Sequence, residues 1–288
     1  MRSFHLLVNP ASGGGSAIEA VKPVAERLRD AGANVTVTYS TGKERSREMI
    51  PDSVSRGEVI VAVGGDGMVG SLAGAVAKAG GTLGIVPTGR GNDFARQLGL
   101  PKDPEGVARV LLGGKPQPVD IIEAAGETVV GSVYAGVDSL ASALVDRAQW
   151  LPRPLQYPYA AVRALATFPP QRYVVTVDGN RSRFTGCTVV VANSGFYGSG
   201  MHVAPRADPT DGLLDVVMIA ASSRMRLIAA MPTVYKGTHL GRPEVIWVRG
   251  KEVTVECEGS VDAYGDGDWL APLPVTATIR EHALQVMR

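Results

Sequence analysis

Along the first 120 or so residues, short apolar runs alternate with longer segments whose apolar positions recur at helical spacing. The runs predict strands at Phe4–Val8, Val35–Tyr39, Val59–Val63 and Thr82–Val86. The periodic segments predict helices at Ala17–Ala31, Glu44–Ser55, Val69–Ala79, Asn92–Leu98 and Pro104–Leu112. Strands separated by helices imply βαβ units, hence an α/β domain built on a parallel sheet covered on both faces. In such sheets ligands gather beyond the carboxyl ends of the strands.

After Asp120 the pattern changes. Val129–Tyr134, Arg172–Val177, Cys187–Ala192, Leu214–Ile219, Val245–Val248, Glu252–Glu256 and Val275–Ile279 read as short strands with turn residues between them. Most lack an intervening helix, which predicts a mainly antiparallel sandwich or barrel. Helices interrupt it at Ser139–Trp150, Tyr157–Thr167 and Ser223–Tyr235. A turn at Glu123–Thr128 marks the boundary, giving domains 1–123 and 124–288, with the extreme C-terminus able to return to the first.

Composition narrows the picture only a little. Lys+Arg number 29 and Asp+Glu 28, so no global charge favours nucleic acid or an anionic membrane as a partner. No apolar run approaches the roughly 20 residues of a spanning helix, and the opening residues read as a strand, not a signal peptide. Cys187 and Cys257 sit in β-like apolar stretches and read as reduced thiols. A cytoplasmic protein is expected, and antiparallel edges leave room for a homodimer.

Candidate chemistry concentrates in two turns. Val63 runs into Gly64-Gly65-Asp66-Gly67-Met68-Val69-Gly70, and Pro87 into Thr88-Gly89-Arg90-Gly91-Asn92-Asp93. Glycine lets the backbone approach a bulky anion, and a helix opening just beyond points unpaired N–H groups at it. An Asp in each turn could hold Mg²⁺ beside phosphates. Gly65 to Gly70 satisfies G-x-G-x-x-G, yet the following strand carries no carboxylate for a dinucleotide ribose. A Walker A loop is absent. Phosphoryl transfer is the chemistry these turns suggest.

These residues, with Asn9-Pro10-Ala11-Ser12-Gly13 at the start, resemble the catalytic domain of the diacylglycerol kinase-like lipid kinases, a group that includes sphingosine and ceramide kinases. The resemblance continues through Asp120, Asn193, Asp208 to Asp215, Gly237-Thr238-His239 and Gly267-Asp268, spanning nearly the whole chain. It implies an N-terminal α/β domain akin to NAD kinases and phosphofructokinases, a C-terminal β-rich lipid-substrate domain, and ATP in the cleft between them. It further implies a role in phospholipid metabolism, a lipid alcohol such as diacylglycerol or a sphingoid base as acceptor, and transient peripheral contact with a membrane.

By matching position, Asn9 to Gly13 and Thr41 would contact the nucleotide. Gly64, Gly65, Gly67, Met68, Val69 and Gly70 would wrap the phosphates, with Asp66 acting through Mg²⁺. Thr88, Gly89, Arg90, Asn92 and Asp93 would close the other side. Each has a plainer reading as well: Asn9 to Gly13 as a turn, Thr41 as an ST-turn, Asp66 and Asp93 as helix caps. The resemblance also implies a structural metal held by the Asp208 carbonyl, the Asp211 side chain and the Leu213 carbonyl, against an unmetallated Asx-turn. Asp268 stands where the family carries a Glu and is the implied general base, against an ordinary solvated turn.

Two departures matter. Met68 replaces a usual Thr and removes a hydroxyl, while Arg90 adds a cation beside the phosphate path and could restore part of that contact. Segment Trp150–Tyr159, rich in aromatics and leucine, has the make-up of an interfacial loop, though buried packing would account for it too. NAD kinase, which shares the Gly-Gly-Asp-Gly turn, and a nucleotide-binding regulator with a decayed site are the competing functions.

Overall fold

The computed structural model describes residues 2–10, 12, 15–40, 42–89, 91–148 and 150–288. Its two units are Met1–Ile121 with Glu281–Arg288, and Ile122–Arg280. In the first, β1 (Ser3–Val8), α1 (Ser16–Asp30), β2 (Asn34–Tyr39), α2 (Lys43–Glu48), α3 (Ile50–Ser55), β3 (Glu58–Gly64), α4 (Asp66–Lys78), β4 (Thr82–Pro87), α5 (Asp93–Gln97) and α6 (Pro104–Gly113) follow in order. The helical crossovers force parallel pairing, and the strands lie in the order β2-β1-β3-β4. Phe4, Leu6 and Val8 of β1 and Val61 and Val63 of β3 pack against Val21, Val24 and Leu28 of α1. The helix expected across Glu44–Ser55 is two short ones. Pro51, in the first turn of α3, has no N–H to continue the helix before it.

The second unit takes over within β5 (Pro116–Ala124), which pairs with β6 (Glu127–Val129). Next come β7 (Ser132–Gly136), α7 (Val137–Val145), α8 (Arg153–Thr167), β8 (Gln171–Val177), β9 (Asn180–Ala192), β10 (Leu214–Ala220) and α9 (Arg224–Tyr235). It ends with β11 (Val245–Gly250), β12 (Glu252–Cys257), β13 (Asp262–Gly265), β14 (Asp268–Pro272) and β15 (Val275–Met287). β7 to β14 pair antiparallel with one another, and the unit is a β-sandwich. β9 pairs first with β8 and then, past Gly186, with β7 and β10. A Cβ at Gly186 would meet the Ile219 carbonyl oxygen at 2.5 Å, so glycine permits that crossing. Tyr173, Val175, Val189, Val191, Val216 and Val253 form the core between the layers. Cys187 and Cys257 are free thiols.

Two features escaped the periodicity. The β13–β14 hairpin turns through Asp266 (φ 50°) and Gly267 (φ 95°), the paired left-handed residues of a tight hairpin. β15 outruns its predicted length: its early residues pair with β12, and Gln285 and Val286 add in parallel beside β4 in the first unit.

His5 of β1 is buried, with Nδ1 2.6 Å from Ser53 Oγ and Nε2 2.8 Å from Thr38 Oγ1. Burial lowers its pKa below the usual value, Glu58 opposing and Arg56 adding to the effect. The unfolded chain therefore binds a proton more readily, and stability falls as pH drops below about 6.5. His5→Gln should remove this contribution. The Tm gap between wild type and variant should narrow from pH 7 to pH 5, and a constant gap would contradict it.

Candidate functional site

β1, β3 and β4 end side by side, Val8 opposite Val63 and Gly64 opposite Pro87. The three loops that follow therefore leave one edge of the sheet together. They are tied to one another: Gly65 N donates to Ser12 Oγ at 3.1 Å, Thr88 N to the Gly64 carbonyl at 2.9 Å, and Ser16 Oγ to the Thr88 carbonyl at 3.2 Å. The two glycine turns touch. A Cβ at Gly89 would lie 2.4 Å from Gly65 Cα, and one at Gly65 would lie 2.9 Å from Gly89 Cα. These glycines are needed first for the turns to pack on each other. Gly67 differs, since a Cβ there would meet nothing within 4 Å.

Asp66 links the turns. Its Oδ1 accepts from Asp93 N at 2.7 Å and Phe94 N at 3.2 Å, capping α5 from across the sheet edge. Burial raises its pKa, while those backbone N–H groups pull it back. Asn92 adopts φ 51° and closes the second turn on itself, its Oδ1 accepting from Gly89 N and its Nδ2 donating to the Gly89 carbonyl. Asp66 Oδ2 and Asp93 Oδ2 each lie 2.9 Å from where a Gly91 Cβ would sit, so two carboxylates converge there. Arg96, which carries no sequence signal, donates to the Gly91 carbonyl and lies 3.6 Å from Asp93 Oδ1.

The side chains of Met68 and Val69 are buried in the core, and Met68 fills the space beside Gly64. What the first turn offers a ligand is thus backbone, together with an α4 N-terminus that no side chain caps. Thr88 Oγ1 is buried with no hydrogen-bond partner among the described residues. Ser12, Gly64, Gly65, Asp66, Gly67, Thr88, Gly89, Asn92 and Asp93 come together, with Asn9 and Pro10 leading into the first loop. Ala11, Gly13, Thr41 and Arg90 lie outside the described residues. Asp120 is buried and accepts from His282 N at 2.7 Å, holding the returning end of β15.

In the second unit, Asp268 opens β14 and is exposed. Its hairpin is anchored by Asp266, whose carboxylate accepts from Val130, Gly131 and Ser132 N at 2.8, 2.9 and 3.2 Å. The carboxylates of the acidic turn already have partners. Asp208 Oδ1 accepts from Thr210 N and Oγ1, and Asp211 Oδ1 from Leu213 N. Asp211 Oδ2 pairs with Arg249 Nη2, and Asp215 accepts from Trp247 Nε1 at 2.6 Å and Arg249 Nε at 3.2 Å. A guanidinium sits where a cation would bind Asp211, so this side-chain arrangement does not fit a metal. No group of three or more His, Cys, Asp or Glu among the described residues could hold one.

The same unit holds a small cavity of about 40 Å³, lined by Leu165, Ile219, Leu227, Met231, Val234 and Val245. Thr188, on its wall, donates to Asp138, which also accepts from Tyr197 OH at 2.5 Å. Burial raises the Asp138 pKa, opposed by those hydroxyls. Its one sequence signal is a carboxylate at a strand-to-helix junction.

The diacylglycerol kinase catalytic domain matches residues 3–124, and the YegS C-terminal NAD kinase beta sandwich-like domain matches residues 131–288. The chain belongs to the diacylglycerol kinase family. A Mycobacterium tuberculosis (strain H37Rv) diacylglycerol kinase is 33% identical over 98% of this chain and 94% of its own length. One from Bacillus subtilis (strain 168) is 22% identical over 95% and 92%. A diacylglycerol kinase crystal structure from Bacillus anthracis shares the fold, with a TM-score of 0.74 and 19% identity over 99% of this chain and 96% of that one.

Two substitutions test these contacts. Gly89→Ala should lower the unfolding free energy by about 2–3 kcal/mol through overpacking, while Gly67→Ala should leave it unchanged or raise it slightly. Arg249→Met strands the buried Asp215 and should cost about 3 kcal/mol in a urea titration. Chelator alone should leave the wild-type midpoint unmoved.

Proposed function

We propose that the protein transfers the γ-phosphoryl group of ATP to the hydroxyl of a lipid alcohol, of which diacylglycerol is the first candidate. One observation carries the phosphate part: an uncapped helix N-terminus, open space at Gly67 and an unpartnered buried Thr88 hydroxyl stand together before two converging carboxylates. Backbone N–H groups and a helix dipole stabilise phosphate charge, which suits a reaction that needs positioning and electrostatics above all. The lipid part is supported by the relatives' names.

In this mechanism the acceptor oxygen attacks the γ-phosphorus, its bond to the β,γ-bridging oxygen breaks, and ADP leaves. Asp268 takes the proton of the attacking hydroxyl. The amides of Asp66 and Gly67 and the Thr88 hydroxyl hold the phosphates, and Asp66 with Asp93 supplies hard oxygens suited to the Mg²⁺ of the nucleotide. That ion, when bound, neutralises phosphate charge. No step uses the Asp208 to Asp215 turn.

The test is label transfer from γ-labelled ATP to diacylglycerol in mixed micelles, with NAD as a parallel acceptor. Asp268→Asn should lower kcat at least about 100-fold and Asp268→Glu should not. Gly67→Ala should raise KM for ATP about 10-fold despite its unimpaired stability, because the methyl enters the phosphate space. Label on NAD, or an active Asp268→Asn protein, would refute the assignment.

A further inference from the structure

We propose that Asp138, Ser139 and Ser142 of α7 are positioning residues for the base, clasping the β13–β14 hairpin on which Asp268 stands. The inference rests on the role proposed above for Asp268. The hairpin needs such support. β14 lies at the end of the strand order and pairs with β13, and β13 joins β7 over Ala263, Tyr264 and Gly265. Asp266 ties the turn to the amides of Val130, Gly131 and Ser132, which leaves the opposite end of β13 to be held from elsewhere. A proton acceptor has to stay within hydrogen-bond reach of the attacking hydroxyl, and a misplacement of about 1 Å can cost about 100-fold in rate.

α7 reads Val-Asp-Ser-Leu-Ala-Ser-Ala-Leu-Val, an apolar helix with three polar side chains, and each of the three is spent on this support. Gly136 makes the turn into it: at φ 120° β7 ends close against β9, where a Cβ would lie 2.3 Å from the Cys187 carbonyl oxygen. Ser139 Oγ donates at 2.9 Å to the carbonyl of Asp262, the first residue of β13. Ser142, one turn beyond Asp138 on the same face, has its Oγ 2.9 Å from Tyr134 OH. Asp138 takes the hydroxyls of Thr188 and Tyr197. These bonds converge on a row of rings. Tyr197 lies against Tyr134 with centroids 5.3 Å apart, and Tyr134 stacks on Tyr264, its cross-strand partner in β13, at 6.2 Å and 14°. Among the described residues no cation pairs with Asp138, so its burial is costly. Apolar side chains would hold α7 to the sheet at less cost. What the carboxylate adds is direction, fixing Tyr197 and through it the rings that carry β13.

Hairpin geometry and rate are measured separately. In protein labelled with fluorotryptophan, the fluorine resonance of Trp269, the neighbour of Asp268 on β14, is assigned by Trp269→Phe. It should shift or broaden in Asp138→Ala and in Ser139→Ala, while that of Trp247, held by Asp215, stays. Asp138→Ala should lower kcat for diacylglycerol about 30-fold at unchanged KM for ATP. Asp138→Asn keeps a carbonyl for Tyr197 and should recover kcat to within about 3-fold. Because the clasp acts through the base, Asp138→Ala should cost an Asp268→Asn protein less than about 2-fold more. If Asp138→Ala does not fold, Ser139→Ala and Tyr134→Phe, each removing one hydroxyl, decide in its place. An unmoved Trp269 resonance, full additivity with Asp268→Asn, or an Asn variant no better than Ala would overturn the proposal. Wild-type kcat in Asp268→Asn would instead refute the base, whatever the resonance shows.

Discussion

Two glycines packed Cα to Cα, Gly65 and Gly89, set what the first unit can do at its strand ends. With no side chain between them, the turns after β3 and β4 close to van der Waals distance, and Asp66 can reach the amides that open α5. The carboxylate most easily imagined as reaching for a ligand is also a structural tie. Its position is fixed before anything binds, which is the condition for electrostatic preorganisation. Thr88 is held at its backbone by Gly64 and Ser16.

The second unit solves a different problem, that of carboxylates crowded into one turn. Asp215 is fully buried, and burial raises its pKa, yet Trp247 and Arg249 on the neighbouring strand supply donors that pull it back. Arg249 bridges Asp215 to Asp211 and does with one covalently attached cation what a bound ion could do. Asp266 plays a comparable part in the β13–β14 hairpin, gathering three backbone amides so that Asp268 begins a strand of fixed direction. The chemistry proposed for Asp268 depends on this neighbour.

Much of this was legible in the sequence, and the remainder has a common cause. Alternating apolar runs and helical spacings marked β1 to β4, α1, α4 and α6, because local burial periodicity is a local signal. The glycine turns were legible for the same reason. What was not legible joins distant residues: Asp66 to the amide 27 positions on, Asp211 to an arginine 38 positions on, and Asp266 to amides some 135 positions back. Met68 looked like a lost hydroxyl near phosphate, whereas its side chain is packing beneath Gly64. Pro51 was visible, but its power to split a helix was outweighed by the apolar pattern around it. The Asp-Gly turn of β13–β14 drew notice as a motif and hid a hairpin.

The fifth strand of the parallel sheet comes from residues beyond 280, more than 190 positions after the strand it joins. On a ribosome, the first unit must wait with the open flank of β4 exposed while the entire sandwich is synthesised. Its completion couples the two halves in time, so that the strand-end turns assembled early gain their last sheet neighbour only after the sandwich has been made.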